Sequence, residues 1–194
     1  MDKILRINDI KKALLLLQSF IYFDENDFLR EKCSDKDLLQ RVIRDVEGAI
    51  FECTTNRSQS EKLIFLYGTI GDLYRIKGEV KSAIDALSKA VEISDGFKKT
   101  VNLIRLGEAL KYANQHQRAL GKFNAAIDRC AKQKHSLLLD FVYQHKGKCL
   151  LEIGDNSQAT ECFQIAMELR VKKGDVSLID STQMALNLLK GKGE

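Results

Sequence analysis

The sequence predicts an all-α chain built as a solenoid of antiparallel helix pairs, and three observations carry that prediction. Gly71, Gly107 and Gly147 each stand twelve residues before an alanine (Ala83, Ala119, Ala159), and a second alanine follows seven further on (Ala90, Ala126, Ala166). Small residues recurring in this register mark places where two helices approach closely, once in every structural unit. The 194 residues include no proline, which costs about 3 kcal/mol inside a helix. Outside the repeats, apolar residues still step by three and four. Hydrophobic residues at 44% and charged ones at 30% suit one continuous folded body rather than a disordered or membrane-embedded chain.

From the N-terminus, Ile4, Ile7, Ile10, Leu14, Leu17 and Ile21 line one helical face, and so do Leu39, Val42 or Ile43, Val46, Ala49 or Ile50, and Cys53. Residues 1–58 therefore read as two long helices joined through a short helical or turn segment around Asp24 to Ser34, a candidate degenerate repeat that caps the array. Thr54 to Ser60 is a polar linker ending in residues suited to an N-cap. Residues 59–173 hold the three repeats, with helix pairs expected at Lys62–Lys77 and Glu79–Ile93, Thr100–Ala113 and His116–Ala131, and Ser136–Ile153 and Asn156–Val171. Residues 174–194 supply a closing helix over Val176 to Leu189 and a tail, from Gly191, that should fray. About nine or ten helices and no sheet are expected.

The first unit reads Tyr67-x2-Ile70-Gly71-x2-Tyr74, then Gly78, then Ala83-x3-Leu87-x2-Ala90. The second reads Leu103-x2-Leu106-Gly107-x2-Leu110, Asn114, Ala119-x3-Phe123-x2-Ala126, and the third Tyr143-x2-Lys146-Gly147-x2-Leu150, Gly154, Ala159-x3-Phe163-x2-Ala166. Gly or Asn in each turn suits a left-handed backbone, and Phe123 and Phe163 fill the volume beside the small residues. The three units resemble the tetratricopeptide repeat, and the resemblance implies a right-handed superhelix with a concave face lined by the first helix of each pair. The glycines are 36 and then 40 residues apart, so the units are longer than the usual repeat. The extra residues, around Asp95 to Lys99 and Ala131 to Ser136, should lengthen helices by a turn.

The positions that line the groove in this family fall on Phe65, Gly68, Asp72, Arg75 and Ile76, then Val101, Ile104, Glu108, Lys111 and Tyr112, then Phe141, Gln144, Lys148, Leu151 and Glu152. The resemblance thus implies an apolar row (Phe65, Val101, Ile104, Phe141) beside a polar row (Asp72, Glu108, Lys148). Gly68, Asp72 and Arg105 stand where members that hold chaperone C-termini carry Lys, Asn and Asn, so a carboxylate clamp is not expected. The apolar row suits an amphipathic helix or extended peptide held by a few anchors, unless those residues pack against neighbouring helices instead.

Catalysis finds little foothold. His116, His135 and His145 sit beside no nucleophile motif, and no phosphate-binding glycine loop or metalloprotease signature occurs. Neither a metal nor a cofactor is expected. The five cysteines show no metal-ligand spacing and read as free thiols of a reducing, cytoplasmic compartment. Lys11 to Phe23 lacks both a cleavage site and the length of a membrane span. The net charge of +4 is dispersed, and the short clusters Lys98-Lys99 and Arg170 to Lys173 are expected at helix C-termini, so nucleic acid is not the expected ligand. The expected function is a non-enzymatic module, scaffold or adaptor that binds a protein or peptide in its groove. The alternatives are a dedicated inhibitor or immunity protein that occludes a toxin or enzyme, and an RNA-binding helical repeat.

Overall fold

A computed structural model describes residues 7–55, 60–133 and 136–191. Among the described residues the chain forms nine α-helices and one β-hairpin. Helix α1 spans Ile7–Gln18, strands β1 (Ile21–Asp24) and β2 (Arg30–Cys33) follow, and α2 covers Lys36–Thr55. The repeats are α3 (Ser60–Lys77) with α4 (Val80–Ile93), α5 (Gly96–Tyr112) with α6 (His116–Gln133), and α7 (Leu139–Glu152) with α8 (Asn156–Lys173). Helix α9 (Val176–Gly191) closes the order. The solenoid of antiparallel pairs is as the sequence predicts, and helix boundaries agree within a few residues. The additional residues do lengthen helices: α5 begins at Gly96 rather than Thr100, and α6 runs to Gln133.

The crossings explain the glycine-alanine register. A Cβ added at Gly107 would lie 2.5 Å from Phe123 Cε1, and one at Gly147 2.6 Å from Phe163 Cε1, distances no real contact tolerates. Gly71 meets Leu87 in the same way. Opposite them Ala83, Ala119 and Ala159 are fully buried, so each pair closes on a flat surface backed by one large side chain. Gly78, Asn114 and Gly154 take φ of 90°, 56° and 82° in the turns, the left-handed backbone that the sequence requires there. Helix starts are capped by carboxylates: Asp35 accepts from the Leu38 N–H (2.8 Å) and Asp155 from the Gln158 N–H (3.1 Å).

The N-terminal segment departs from expectation. Ile21 does not continue the first helix but opens a strand, and Asp24 to Ser34 is not a helical joint. Strands β1 and β2 pair antiparallel, Ile21 opposite Cys33 and Asp24 opposite Arg30. Asp24 accepts from the Asn26 N–H (3.0 Å), and Lys32 ties Asp24 (2.7 Å) to Asp27 (3.0 Å), so the polar run between the strands folds into a turn. Phe28 and Leu29 then adopt φ of 52° and 57°, a conformation that costs a bulky residue about 1 kcal/mol or more. The absence of any sheet is thus corrected, although the sheet lies outside the repeats. Ile4, most of the linker (56–59), His135 and the tail beyond Gly191 lie outside the described residues.

Candidate binding groove

The first helices of the pairs, α3, α5 and α7, line the concave face, and the hairpin lies against it. The register places Asp72 and Arg75 on α3, Glu108, Lys111 and Tyr112 on α5, and Lys148 and Glu152 on α7. Arg75, Glu108, Lys111 and Lys148 are buried on the side that the hairpin covers, and Gln144 is buried where its amide reaches the Ser181 carbonyl of α9 (3.4 Å), so none of them forms the solvent-facing polar row of an open groove. Ile104 is likewise buried, at 6% exposure, whereas Phe65, Val101 and Phe141 remain half-buried.

The charges beneath the hairpin form one network. Arg75 pairs with Asp72 on its own helix (2.7 Å) and with Glu31 of β2 (2.6 Å). Glu152, its side chain 2% exposed, holds Arg30 through two bonds (3.1 and 2.7 Å), meets His116 at 2.9 Å and lies 3.6 Å from Lys111. Glu108 lies 3.1 Å from both Lys111 and His145. Tyr112 sits at the centre: its hydroxyl oxygen accepts the Glu31 N–H at 2.5 Å, and Arg30, Arg75 and Lys111 stand 5.1, 4.8 and 5.2 Å from its ring centre.

This setting displaces several pKa values. Burial pushes Glu108 upward, but His145, Lys111 and Arg75 outweigh it and hold the carboxyl well below its usual range. Asp72, also desolvated, is lowered by Arg75 and Arg105. Burial raises the Tyr112 hydroxyl well above its ordinary value. Lys148 is the exception among the cations. It has the Leu29 carbonyl (3.2 Å) and the Phe23 ring (4.2 Å) for partners, and burial followed by repulsion from Lys111 lowers it to about 8.

Beyond the hairpin the groove stays open. A cavity of about 300 Å³ is walled by Val101, Ile104, Leu138 and Phe141, with Glu31, Asp72, Arg75, Arg105, Glu108 and His145 around them. It adjoins one of about 410 Å³ between α1, α3 and α5, whose apolar lining is Ile7, Ile64, Phe65, Phe97 and Val101. Lys11, Lys62, Lys98 and Arg105 also line it, and its one lining carboxylate, Glu61, bonds to Lys98 at 2.7 Å. Gly68 makes room here, since a Cβ would meet Asn102 Oδ1 at 2.7 Å and Arg105 Nη1 at 3.0 Å.

The repeat register thus places Phe65, Asp72, Val101 and Phe141 around the open part, Arg75, Glu108, Lys111, Tyr112 and Lys148 beneath the hairpin, and Gln144 against α9. It missed Arg30, Glu31, His116 and His145. The basic clusters also need correction. Lys98 and Lys99 lie in the first turn of α5, not at a C-terminus, and Lys98 answers Glu61. Arg170 and Lys173 do end α8, but Arg170 is bonded internally to Asp140 (3.2 Å) and Thr182 (2.8 Å), and Lys173 also pairs with Asp140. Among the described residues, no group of three or more His, Cys, Asp or Glu gathers to hold a metal, and no helix is long and apolar enough to cross a membrane.

A tetratricopeptide repeat model matches residues 66–96, within the first unit. No curated protein matches in sequence. Among solved structures, a Rap protein complexed with Competence and Sporulation Factor is similar over 81% of this chain and 45% of its own, at 14% identity and a TM-score of 0.71. The apo form of RapI is similar over 80% and 58%, at 14% identity and 0.69. Tetratricopeptide-like repeats of a putative kinesin light chain from Podosopora anserina align with 100% of this chain and 90% of theirs, at 13% identity and 0.66. The chain spans about half the length of the two Rap proteins. These likenesses establish the fold, a tetratricopeptide-type helical repeat solenoid.

Proposed function

We propose that this protein is a non-enzymatic interaction module whose open groove holds a segment of a partner protein, one that combines apolar anchors with acidic side chains. The observation that carries this reading is the cavity of about 410 Å³ between α1, α3 and α5. Its floor is apolar, with Phe65 and Val101 presented by neighbouring repeats. Its rim is basic: with Glu61 engaged by Lys98, the lining still offers Lys11, Lys62 and Arg105. Rim charge selects the partner's sign and speeds encounter, while buried apolar anchors supply most of the affinity. A Rap protein complexed with Competence and Sporulation Factor supports a factor-binding use of such a fold. Buried thiols with raised pKa values, Cys149 at about 12 through burial, suit a reducing compartment, the cytoplasm. RNA is the weaker reading, because Arg170 and Lys173 serve internal carboxylate contacts.

Selection from a displayed library of random peptides tests the proposal. Enriched sequences should pair Asp or Glu with large apolar residues, and Arg105→Gln should weaken them about tenfold while leaving the unfolding midpoint in place. Enrichment of basic sequences, or binding indifferent to Arg105→Gln, refutes it.

A further inference from the structure

We propose that the β-hairpin is a removable internal ligand of the groove, and that Leu29, Arg30 and Glu31 occupy in cis the positions taken by a partner segment of apolar, basic and acidic side chains in succession. The inference rests on reading the groove as a partner site and adds how that site is regulated and extended.

Three observations converge. First, Leu29 to Glu31 are held as a bound peptide is held, by groove side chains on their main chain and pockets for their side chains. Lys148 donates to the Leu29 carbonyl (3.2 Å), Arg30 donates two hydrogen bonds to the Glu152 carboxylate, and the Glu31 N–H donates to the Tyr112 hydroxyl while its carboxylate accepts from Arg75. The Leu29 side chain is 2% exposed and packs with the core beside Leu151 and Ala185. Second, the fit is incomplete. With the hairpin seated, Arg75 Nη1 is buried without a hydrogen bond, its nearest carboxylate oxygen being Glu108 Oε2 at 3.9 Å, and Arg75 lines the cavity of about 300 Å³. A segment that continued from the Glu31 position into this cavity would supply the acceptor that Arg75 Nη1 lacks with the hairpin in place. Third, the hairpin joins no larger sheet. Among the described residues its two strands pair only with each other, and Phe28 and Leu29 hold left-handed backbone that costs a bulky side chain.

The test supplies the hairpin in trans. A labelled synthetic peptide of residues 20–34, with Cys33→Ser, is titrated by fluorescence anisotropy into the parent protein and into the doubly substituted Arg30→Ala, Glu31→Ala protein. The peptide is expected to bind the substituted protein and to bind the parent at least about tenfold more weakly, because the parent's own hairpin already fills the site. Equal binding to both, or no binding to a substituted protein that circular dichroism shows to be folded, overturns the proposal. Should the substituted protein not fold, hydrogen exchange of the parent decides. The hairpin amides are expected to exchange through local opening, about tenfold or more faster than the central amides of α5. Exchange of both at one rate, through global unfolding, overturns the proposal. Neither readout involves the cavity beside α1, so failure of the peptide selection and failure of hairpin release are separate results.

Discussion

Replacing Lys148 by methionine should stabilise the protein at neutral pH, and the gain should vanish in alkali. Lys148 is 3% exposed and faces no carboxylate at bonding distance, and burial lowers its pKa from 10.5 to about 8. At about 1.4 kcal/mol per pKa unit, keeping the ammonium charged in the fold costs about 3 kcal/mol. The Phe23 ring at 4.2 Å returns up to about 2 kcal/mol, so the net gain from the apolar, similarly sized methionine is about 1 to 2 kcal/mol. The sign follows from linkage. Below the folded pKa of about 8 the penalty is complete, and as pH rises towards the unfolded value of 10.5 the folded lysine is already neutral, so the penalty disappears. There the methionine variant becomes the weaker protein, because the Leu29 carbonyl has lost its donor. Urea unfolding of both proteins at pH 7 and near pH 10 measures this directly. A methionine variant that is less stable at pH 7, or a difference that does not change with pH, would refute the assignment of Lys148 as a buried cation held without a carboxylate partner.

Gly107→Leu should cost roughly 1 to 3 kcal/mol in urea unfolding, since even its Cβ would sit 2.5 Å from Phe123; a variant as stable as the parent would contradict the close crossing. Gly48→Ala is the control in the opposite direction: exposed on α2 with nothing within 4 Å of an added Cβ, it should gain about 0.5 to 1 kcal/mol. Asp140→Ala should cost about 3 kcal/mol or more, because it strands the buried Arg170 guanidinium, and loss of the thermal transition's cooperativity in α8 and α9 by hydrogen exchange would locate the damage. Phe141→Ala should lower stability by about 1 to 3 kcal/mol, since the ring packs against the core that includes Leu103, Leu110 and Val142 and its centre lies 5.5 and 5.2 Å from the Arg170 and Lys173 cations; an unchanged unfolding midpoint would return it to the role of a free groove anchor.

How legible all this was in the sequence depends on how far each feature reaches along the chain. The Gly107–Phe123 and Gly147–Phe163 crossings close within one repeat, so their spacing repeats and can be read. The hairpin could have been read but was ambiguous. Ile21-Tyr22-Phe23 followed by the polar Asp24 to Asp27 is a strand and turn pattern, yet Leu17 and Ile21 also keep the four-residue step of a helix, and a short run does not separate the two. The left-handed Phe28 and Leu29 carry no glycine or asparagine to announce them.

The groove chemistry was half visible for a different reason. Repeat register alone gathers Asp72, Arg75, Glu108, Lys111 and Lys148 on one face, but whether such charges face solvent or one another is decided by what lies over them. Here the cover comes from Arg30 and Glu31, far away in sequence from Glu152 and Arg75. A fully buried lysine such as Lys111 would be costly beneath an empty groove only if water could not reach it; an open concave face would hydrate it and expose it. In this structure Lys111 is buried between Glu108 and Glu152, with the hairpin's Arg30 on the far side of Glu152. The charges that look like a binding surface in the sequence are, in this structure, paired with one another and with the chain's own hairpin.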